Sequence, residues 1–397
     1  MSTKSTTLVI LDSMPSAADF YAQFWNRKPF VVRGGISREV IGELIAADEL
    51  AGLSLEEGPQ SRLVKTAGVV KDWSCRFGPF LEQDFSEVGE RDWTLLIQNV
   101  EQFHPQTAML LRQFGFTPRW LMDDIMVSYS EPGGSVGPHI DNYHVFLVQG
   151  QGKRHWKVGR EAIVKESYIQ GIDFRILENA FDGDEVELTL GDVLYLPPRF
   201  GHEGTTVESA LTFSVGFLGP KLSELLSGYG QYLAECEDLN PRYVGAGLDM
   251  DSAGFQISSA AVEVVQDRLI QQLQASSFSQ WLVEFFTESS HENFGTYSER
   301  DDPLDRQVLV QALQDGVRLR KPEYVKFAIT KAAGNAFYLG FDAHSFLLDE
   351  NVFPWIARLM QEDLLSADSA PQLLDEVEVL DLLCDLFNHQ ALEFREC

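Results

Sequence analysis

The segment Gly137-Pro138-His139-Ile140-Asp141 holds an imidazole and a carboxylate two residues apart. In extended chain, residues at i and i+2 point to the same face, so a strand through this segment presents His139 and Asp141 side by side. A third candidate closes the run Gly191-Asp192-Val193-Leu194-Tyr195-Leu196-Pro197-Pro198-Arg199-Phe200-Gly201-His202, in which a turn, an apolar strand and a proline-stiffened bend lead to His202. Two neutral imidazoles and one carboxylate on one face of a metal leave three positions open, the arrangement with which Fe(II) takes a keto acid and O2 together. A His-x-Asp triplet alone is commonplace and mostly incidental. Its conjunction with the second element gives it weight.

Lys153-Arg154-His155-Trp156-Lys157-Val158 supplies a second clue. Strand alternation sets Arg154 on the side of Trp156 and Val158, so a guanidinium points toward an apolar interior. A buried cation needs a counter-ion. It is either one of the 60 acidic residues, in a structural ion pair, or a bound carboxylate, which arginine grips through two parallel hydrogen bonds. The second alternative suits the distal carboxylate of 2-oxoglutarate. The hydroxyls of Ser128 and Thr212 could assist it, although strand hydroxyls are more often structural. His155 alternates with Lys153 and Lys157 on a polar face and is expected at the surface, and His144 lies near the motif without a ligand pattern. His104, His291, His344 and His389 lack paired partners and read as structural or surface residues. Walker, GxGxxG, GxSxG and HExxH motifs do not occur, which argues against phosphoryl transfer, Rossmann binding and serine hydrolysis.

The elements that must position these residues are short β-rich runs between Trp93 and Phe217: Asp124 to Ser130, Tyr143 to Gln149, His155 to Val158, Val193 to Leu196 and Leu211 to Phe217. Their spacing predicts a barrel or sandwich. A helix over Ala17 to Trp25 leads into a strand at Phe30-Val31-Val32. Beyond Gly219-Pro220 the pattern turns helical, with Lys221 to Glu235 and then Ser258 to Ser276, where Val262, Val265, Leu269 and Leu273 form a stripe able to pack on the barrel or on a second copy of the chain. Acidic Thr287 to Asp302 reads as a linker. A compact α+β ending follows, with a helix over Pro303 to Gln314, β-rich runs at Val317 to Thr330 and Ala336 to Leu339, and two late helices.

With 397 residues, two or three domains are expected. The 31 basic and 60 acidic side chains leave a net charge of −29, which repels a phosphate backbone and argues against direct nucleic-acid binding. A basic protein or peptide is the better-matched partner; the alternative is an acidic surface that serves solubility alone. Cys75, Cys236, Cys384 and Cys397 are too scattered for a disulfide framework or a zinc finger. The N-terminal apolar run Leu8 to Leu11 is too short for a signal peptide and no stretch suits a membrane span, so a cytoplasmic location is expected.

On these motifs, and on the blocks from Phe20 to Pro29, Ser61-Arg62-Leu63-Val64, Gly78-Pro79-Phe80, Trp93 to Gln98 and Pro132 to Phe217, the sequence resembles the JmjC-type ribosomal oxygenases. The resemblance is nearest to their bacterial branch, which hydroxylates an arginine of large-subunit ribosomal protein sixteen. It implies metal ligands at His139, Asp141 and His202, a 2-oxoglutarate arginine at Arg154, and Ser128 beside the co-substrate. It also implies Fe(II) with 2-oxoglutarate and O2, and a hydroxyl placed on the β-carbon of an arginine in a basic ribosomal protein. Tyr143 is then a wall of the substrate pocket or a packing residue. The implied α+β architecture is a double-stranded β-helix (cupin/JmjC) domain over 1–220, a helical dimerisation region over 221–295 giving a homodimer, and a winged-helix-like domain over 296–397. A histidine hydroxylase or lysine demethylase of the same superfamily, an inactive cupin-like binding module and a DNA-binding regulator are the alternatives. The motif does not separate arginine from histidine as the target.

Overall fold

A computed structural model describes residues 8–66, 73–172, 174–245, 248, 255–288, 300, 302–361, 365–366 and 371–395. The chain divides into two compact units, one ending at Gly219 and the other starting at Pro220. The first contains strands β1 (Val9–Leu11), β2 (Phe30–Val32), β3 (Ser61–Lys65), β4 (Ser74–Phe77), β5 (Trp93–Ile97), β6 (Met122–Ser130), β7 (Val145–Ala162), β8 (Gly183–Leu188), β9 (Val193–Leu196) and β10 (Phe200–Phe217). They join in one mixed sheet of order β1-β2-β9-β7-β10-β6-β5-β3-β4, with β8 also paired to β7.

β7 and β10, of 18 residues each, organise this sheet. The first part of β7, Val145 to Val148, pairs with β9, and its later part, Arg154 to Gly159, pairs with β8. β10 runs antiparallel to β7 along both parts, and the register slips between Thr206 and Thr212 bend the ladder into a corner. Gly152 lies there with φ +65°, and a Cβ on it would come 2.0 Å from the Ser209 carbonyl oxygen, so conformation and space both exclude a side chain. The corner turns the sheet back on itself and two half-sheets enclose a cavity, which is the double-stranded β-helix that the sequence suggests. The sequence pattern separates Tyr143 to Gln149 from His155 to Val158 because Gly150 and Gly152 interrupt the alternation. In the fold these glycines bend one strand rather than end it.

Alternation on β6 shows how the sheet serves two purposes. Ile125 and Val127 enter the main core with Phe146 and Val148 of β7, Phe213 and Val215 of β10, and the aromatic group Phe20, Phe24, Phe30 and Tyr195. Each such side chain, fully withdrawn from water, contributes roughly 2 kcal/mol. Asp124, Met126 and Ser128, on the other face, line the cavity. The N-terminal helix starts at Ser16, whose hydroxyl accepts a hydrogen bond from the Asp19 N–H at 3.1 Å, and continues as a π-helical turn over Phe20–Phe24. Trp25 beyond it stacks on His144 at 3.6 Å between ring centres, and His144 Nδ1 lies 2.8 Å from the Tyr195 hydroxyl. His144 is therefore a core residue.

The second unit begins with α1 (Leu222–Glu235), α2 (Ser259–Leu273) and α3 (Ser276–Thr287). The single helix expected from Ser258 to Ser276 stops at Leu273, and the chain restarts a new helix at Ser276. The apolar stripe of α2 stays exposed in the chain: Val262 is 44% and Leu269 62% accessible. Most of the acidic stretch from Thr287 to Asp302, His291 included, lies outside the described residues. The remainder comprises α4 (Arg306–Gln314), β11 (Arg318–Arg320), β12 (Ala328–Lys331), β13 (Phe337–Phe341), β14 (His344–Leu348), α5 (Phe353–Gln361), α6 (Val377–Asn388) and β15 (Glu393–Arg395). β12, β13 and β14 form one sheet and β11 pairs with β15, around a core that includes Leu309, Leu319, Ile356, Leu383 and Phe387. This is a winged-helix-like arrangement. The run Val317 to Thr330 splits into two strands because Lys321-Pro322 interrupts it, and β14 and β15 are additions to the sequence reading.

Burial pushes the His144 imidazole down to about 4. Its folded pKa lies below that of an unfolded histidine, so its contribution to stability is complete above about pH 6.5 and declines as pH falls toward 4, by roughly 3 kcal/mol at most. His144→Gln is expected to flatten this part of the stability profile, which urea unfolding of both proteins between pH 4 and 7 measures.

Candidate active site

His139 and Asp141 do not lie on a strand of the main sheet, contrary to the sequence expectation. The chain turns at Gly137, with φ +77°, and bends again at Asn142-Tyr143. Between these turns there is room for one bridge. His139 N–H donates to the His202 carbonyl at 3.0 Å and His202 N–H to the His139 carbonyl at 2.9 Å. The i,i+2 rule still operates, because it requires only extended backbone. Arg199 N–H donates to the Asp141 carbonyl at 2.7 Å, so a third backbone bond joins the two segments. Arg199 follows Pro197-Pro198 with φ +70°, a conformation that non-glycine residues seldom adopt. Its guanidinium bonds to the Ile163 carbonyl at 2.8 Å and to Glu166 at 2.7 Å, which holds it there.

These bonds bring candidate ligand atoms of His139, Asp141 and His202 within 4.8 Å of one another. His139 Nδ1 lies 2.9 Å from the Gly137 carbonyl and His202 Nδ1 3.0 Å from the Phe200 carbonyl. An N–H on each Nδ1 satisfies those carbonyls and leaves Nε2 as the bare lone pair that a metal ligand requires. His202 Nε2 stands 3.4 Å from Asp141 Oδ2. Burial, then the neighbouring His202, pushes His139 down to about 4 and keeps it neutral. Burial works against the Asp141 charge, but the adjoining His202 and His139 imidazoles and a hydrogen bond from Tyr143 outweigh it and hold the carboxyl below its ordinary range. The donor set, with neutral nitrogens and an ionised carboxylate, fits a divalent transition metal.

The three residues share a cavity of about 470 Å³ with Arg154, Ser128, Thr212, Arg62, Asp124 and Tyr143. Arg154 is 4% accessible. Its Nη1 is 3.4 Å from both the Ser128 and Thr212 hydroxyls, its Nη2 is 3.4 Å from the Gly204 carbonyl, and its Nε has no hydrogen-bond partner. The guanidinium lies 5.0 Å over Trp156, and burial lowers its pKa to about 10. Among the described residues no carboxylate pairs with it, so the structural ion pair left open by the sequence is not formed. A buried guanidinium left in this state calls for an anion as its partner. His155 pairs at the surface with Glu185 at 3.6 Å, away from the cavity. Tyr143 is 40% accessible, and the charge of Asp141, then burial, raises its pKa.

Sequence reasoning assigned no role to Arg62, Asp124 or Glu101. Asp124 was recoverable, since it shares a strand face with Ser128. Arg62 was not, because β3 reaches the cavity through pairing with β5. Glu101 is buried behind β6, where its carboxylate accepts the Ile125 N–H at 2.8 Å, and burial together with the charge of Asp124 pushes it up to about 8.

A cupin barrel with two histidines and one carboxylate at a cavity above an anion receptor defines the JmjC class of metal-site proteins, and residues 109–225 match the JmjC domain family model. Residues 268–393 match the ROXA-like winged helix. The chain is 31% identical to the ribosomal protein uL16 3-hydroxylase of Escherichia coli over 374 residues, 93% of this chain and 95% of that protein. A Haemophilus influenzae protein described as a probable ribosomal oxygenase is 40% identical over 250 residues, 62% of this chain and 61% of that one. The structure of YcfD, a ribosomal oxygenase from Escherichia coli in complex with cobalt and 2-oxoglutarate, superposes with a TM-score of 0.80 at 30% identity, covering 96% of this chain and 98% of that one. The chain belongs to the ribosomal oxygenases.

Because Arg154 is an uncompensated buried charge, Arg154→Met is expected to leave the unfolding free energy within about 1 kcal/mol of the parent or to raise it. A loss of several kcal/mol in chemical denaturation would show that Arg154 serves the fold through a partner instead.

Proposed function

We propose that this protein is an Fe(II)- and 2-oxoglutarate-dependent dioxygenase that hydroxylates the β-carbon of an arginine in ribosomal protein uL16. The observation that carries the reading is the pairing, in one cavity, of the His139–Asp141–His202 cluster with the uncompensated guanidinium of Arg154. His139, Asp141 and His202 hold the metal through two Nε2 atoms and one carboxylate. Arg154 receives the distal carboxylate of 2-oxoglutarate, with Ser128 and Thr212 donating hydroxyl hydrogen bonds alongside it. Fe(II), when bound with the keto acid, supplies the oxidising power that inserts one atom of O2 into a C–H bond while 2-oxoglutarate is converted to succinate and CO2. The chain's own part is to orient the keto acid by one end, to keep His139 neutral and to exclude water behind apolar walls such as Leu147 and Trp156.

Asp124 favours arginine over histidine as the target. Its carboxylate lines the cavity near Tyr143, a counter-charge suited to a guanidinium. The net charge of −29 favours a basic ribosomal protein and disfavours nucleic acid as the direct contact. No described helix is long and apolar enough to cross a membrane, and the cytoplasm, where ribosomes are made, is the location that we assign. We assign catalysis to 1–220, self-association to 221–295 and a winged-helix-like domain to 296–397.

The test is turnover of recombinant uL16 with Fe(II) and 2-oxoglutarate, followed by mass spectrometry. Addition of one oxygen to a single arginine, reduced at least about a hundredfold by His139→Ala, is the expected result. Arg154→Met should raise the 2-oxoglutarate requirement by roughly ten- to a hundredfold, the span of one charged hydrogen-bonded contact. Binding of metal and keto acid with uL16 left unmodified would overturn the substrate, and a hydroxylated histidine in another protein would replace it. The exposed stripe on α2 supports a homodimer, so Leu269→Glu is expected to halve the mass seen by sedimentation. A parent protein that is already monomeric at all concentrations would remove the dimer.

A further inference from the structure

Hydroxylation at a β-carbon makes a demand that attack at the far end of a side chain does not. The β-carbon is one bond from Cα, so bringing it to the metal draws the substrate's own main chain into the cavity and strips water from its carbonyl and N–H groups. Buried main-chain polar groups need partners. Close to the cluster the cavity should therefore carry a side-chain donor whose hydrogen-bonding capacity is unspent.

Arg62 meets this requirement. It is paired across the sheet with Leu96, and Leu96 with Ser128, so it lies on the cavity face. Its Nε is buried without a hydrogen-bond partner, and its Nη2 makes a soft contact to Met126 Sδ at 3.9 Å. Its charge is close enough to act on both His139 and Tyr143. β6 gives the cavity an order, with Ser128 beside Arg154, Met126 beside Arg62, and Asp124 beyond them near half-exposed Tyr143. Successive members on one face of a strand are spaced roughly 6.5 Å apart. Arg62 thus stands between the end that receives the keto acid and the end that receives a guanidinium, next to the cluster. That is where the main chain of a residue reacting at its β-carbon must lie. A carboxylate of the keto acid is the less suitable partner, because Arg154 and the metal already provide for its two ends.

We propose that Arg62 donates a hydrogen bond to the main-chain carbonyl of the substrate arginine, and so fixes which carbon faces the metal. This rests on the β-hydroxylation of uL16 assigned above.

The test is calorimetric binding of a synthetic uL16 peptide spanning the target arginine to the full chain loaded with Mn(II) and 2-oxoglutarate, which prevents turnover. Arg62→Met is expected to weaken the peptide by on the order of ten- to a hundredfold, as loss of a hydrogen bond from a charged donor does. Arg62→Lys should restore part of the loss, and 2-oxoglutarate affinity should stay within about twofold, since Arg154 and not Arg62 holds its free end. A peptide whose target carbonyl is replaced by methylene should bind the parent protein as weakly as the unaltered peptide binds Arg62→Met, and this arm needs no variant to fold. Unchanged or tighter peptide binding by Arg62→Met, or equal binding of the two peptides by the parent, overturns the proposal. A drop in 2-oxoglutarate affinity instead makes Arg62 a keto-acid ligand and overturns it too. If the parent protein fails to bind the unaltered peptide, the uL16 assignment itself falls, an outcome separate from indifference to Arg62.

Discussion

The antiparallel ladder between β7 and β10 is the constraint on which the catalytic unit depends. Among the described strands it is the pairing that continues through the corner at Gly152, so it joins the half-sheet containing Leu147, Ser128 and Thr212 to the half-sheet containing Arg154, Trp156 and His202. Without it the two walls of the cavity would have no fixed separation. The ladder also sets the position of His202, which pairs with Val158 on one side and with His139 on the other. Three backbone hydrogen bonds then place the cluster. Preorganisation of this kind means that little ordering entropy remains for ligand binding to overcome.

The electrostatics of the cavity follow from what the ladder encloses. Three guanidiniums, those of Arg154, Arg62 and Arg175, share it with two carboxylates, Asp141 and Asp124. Asp141 is committed to the histidines, and neither Arg154 nor Arg62 forms an ion pair among the described residues. Holding a cation in that state costs stability, which folding tolerates only in exchange for a ligand that completes the pairing. Glu101 behaves in the opposite sense. Buried beside Asp124, it is raised to about 8, toward the protonated form that avoids a second negative charge behind β6.

Much of this was legible in the sequence, and the reasons are local. The spacing of His139 and Asp141, the glycine-to-proline run before His202 and the inward alternation of Arg154 all depend on chain geometry within a few residues. The helix at Ala17, the strand at Phe30 to Val32 and the helices after Pro220 were readable for the same reason. What escaped was long-range. The length of β7 and β10 depends on a bend that glycines signal as a break, and the extended segment at His139 forms one bridge instead of a strand because Gly137 and Asn142-Tyr143 turn the chain on either side. Arg62 and Glu101 reach their places through sheet pairing and through packing behind a strand, and no spacing rule links them to the motif. The break of the α2 region at Leu273 had no proline or glycine to announce it.

The alternation on β6 has a consequence for how such a protein can change. Ile125 and Val127 belong to the core, while Asp124, Met126 and Ser128 belong to the cavity, yet all five lie on one strand. Fold and selectivity are thereby written on opposite faces of the same backbone, in alternate letters. Exchanging the cavity letters alters what the pocket accepts while the packed face keeps its shape. A single strand of this kind separates the positions that shape the cavity from those that hold the fold.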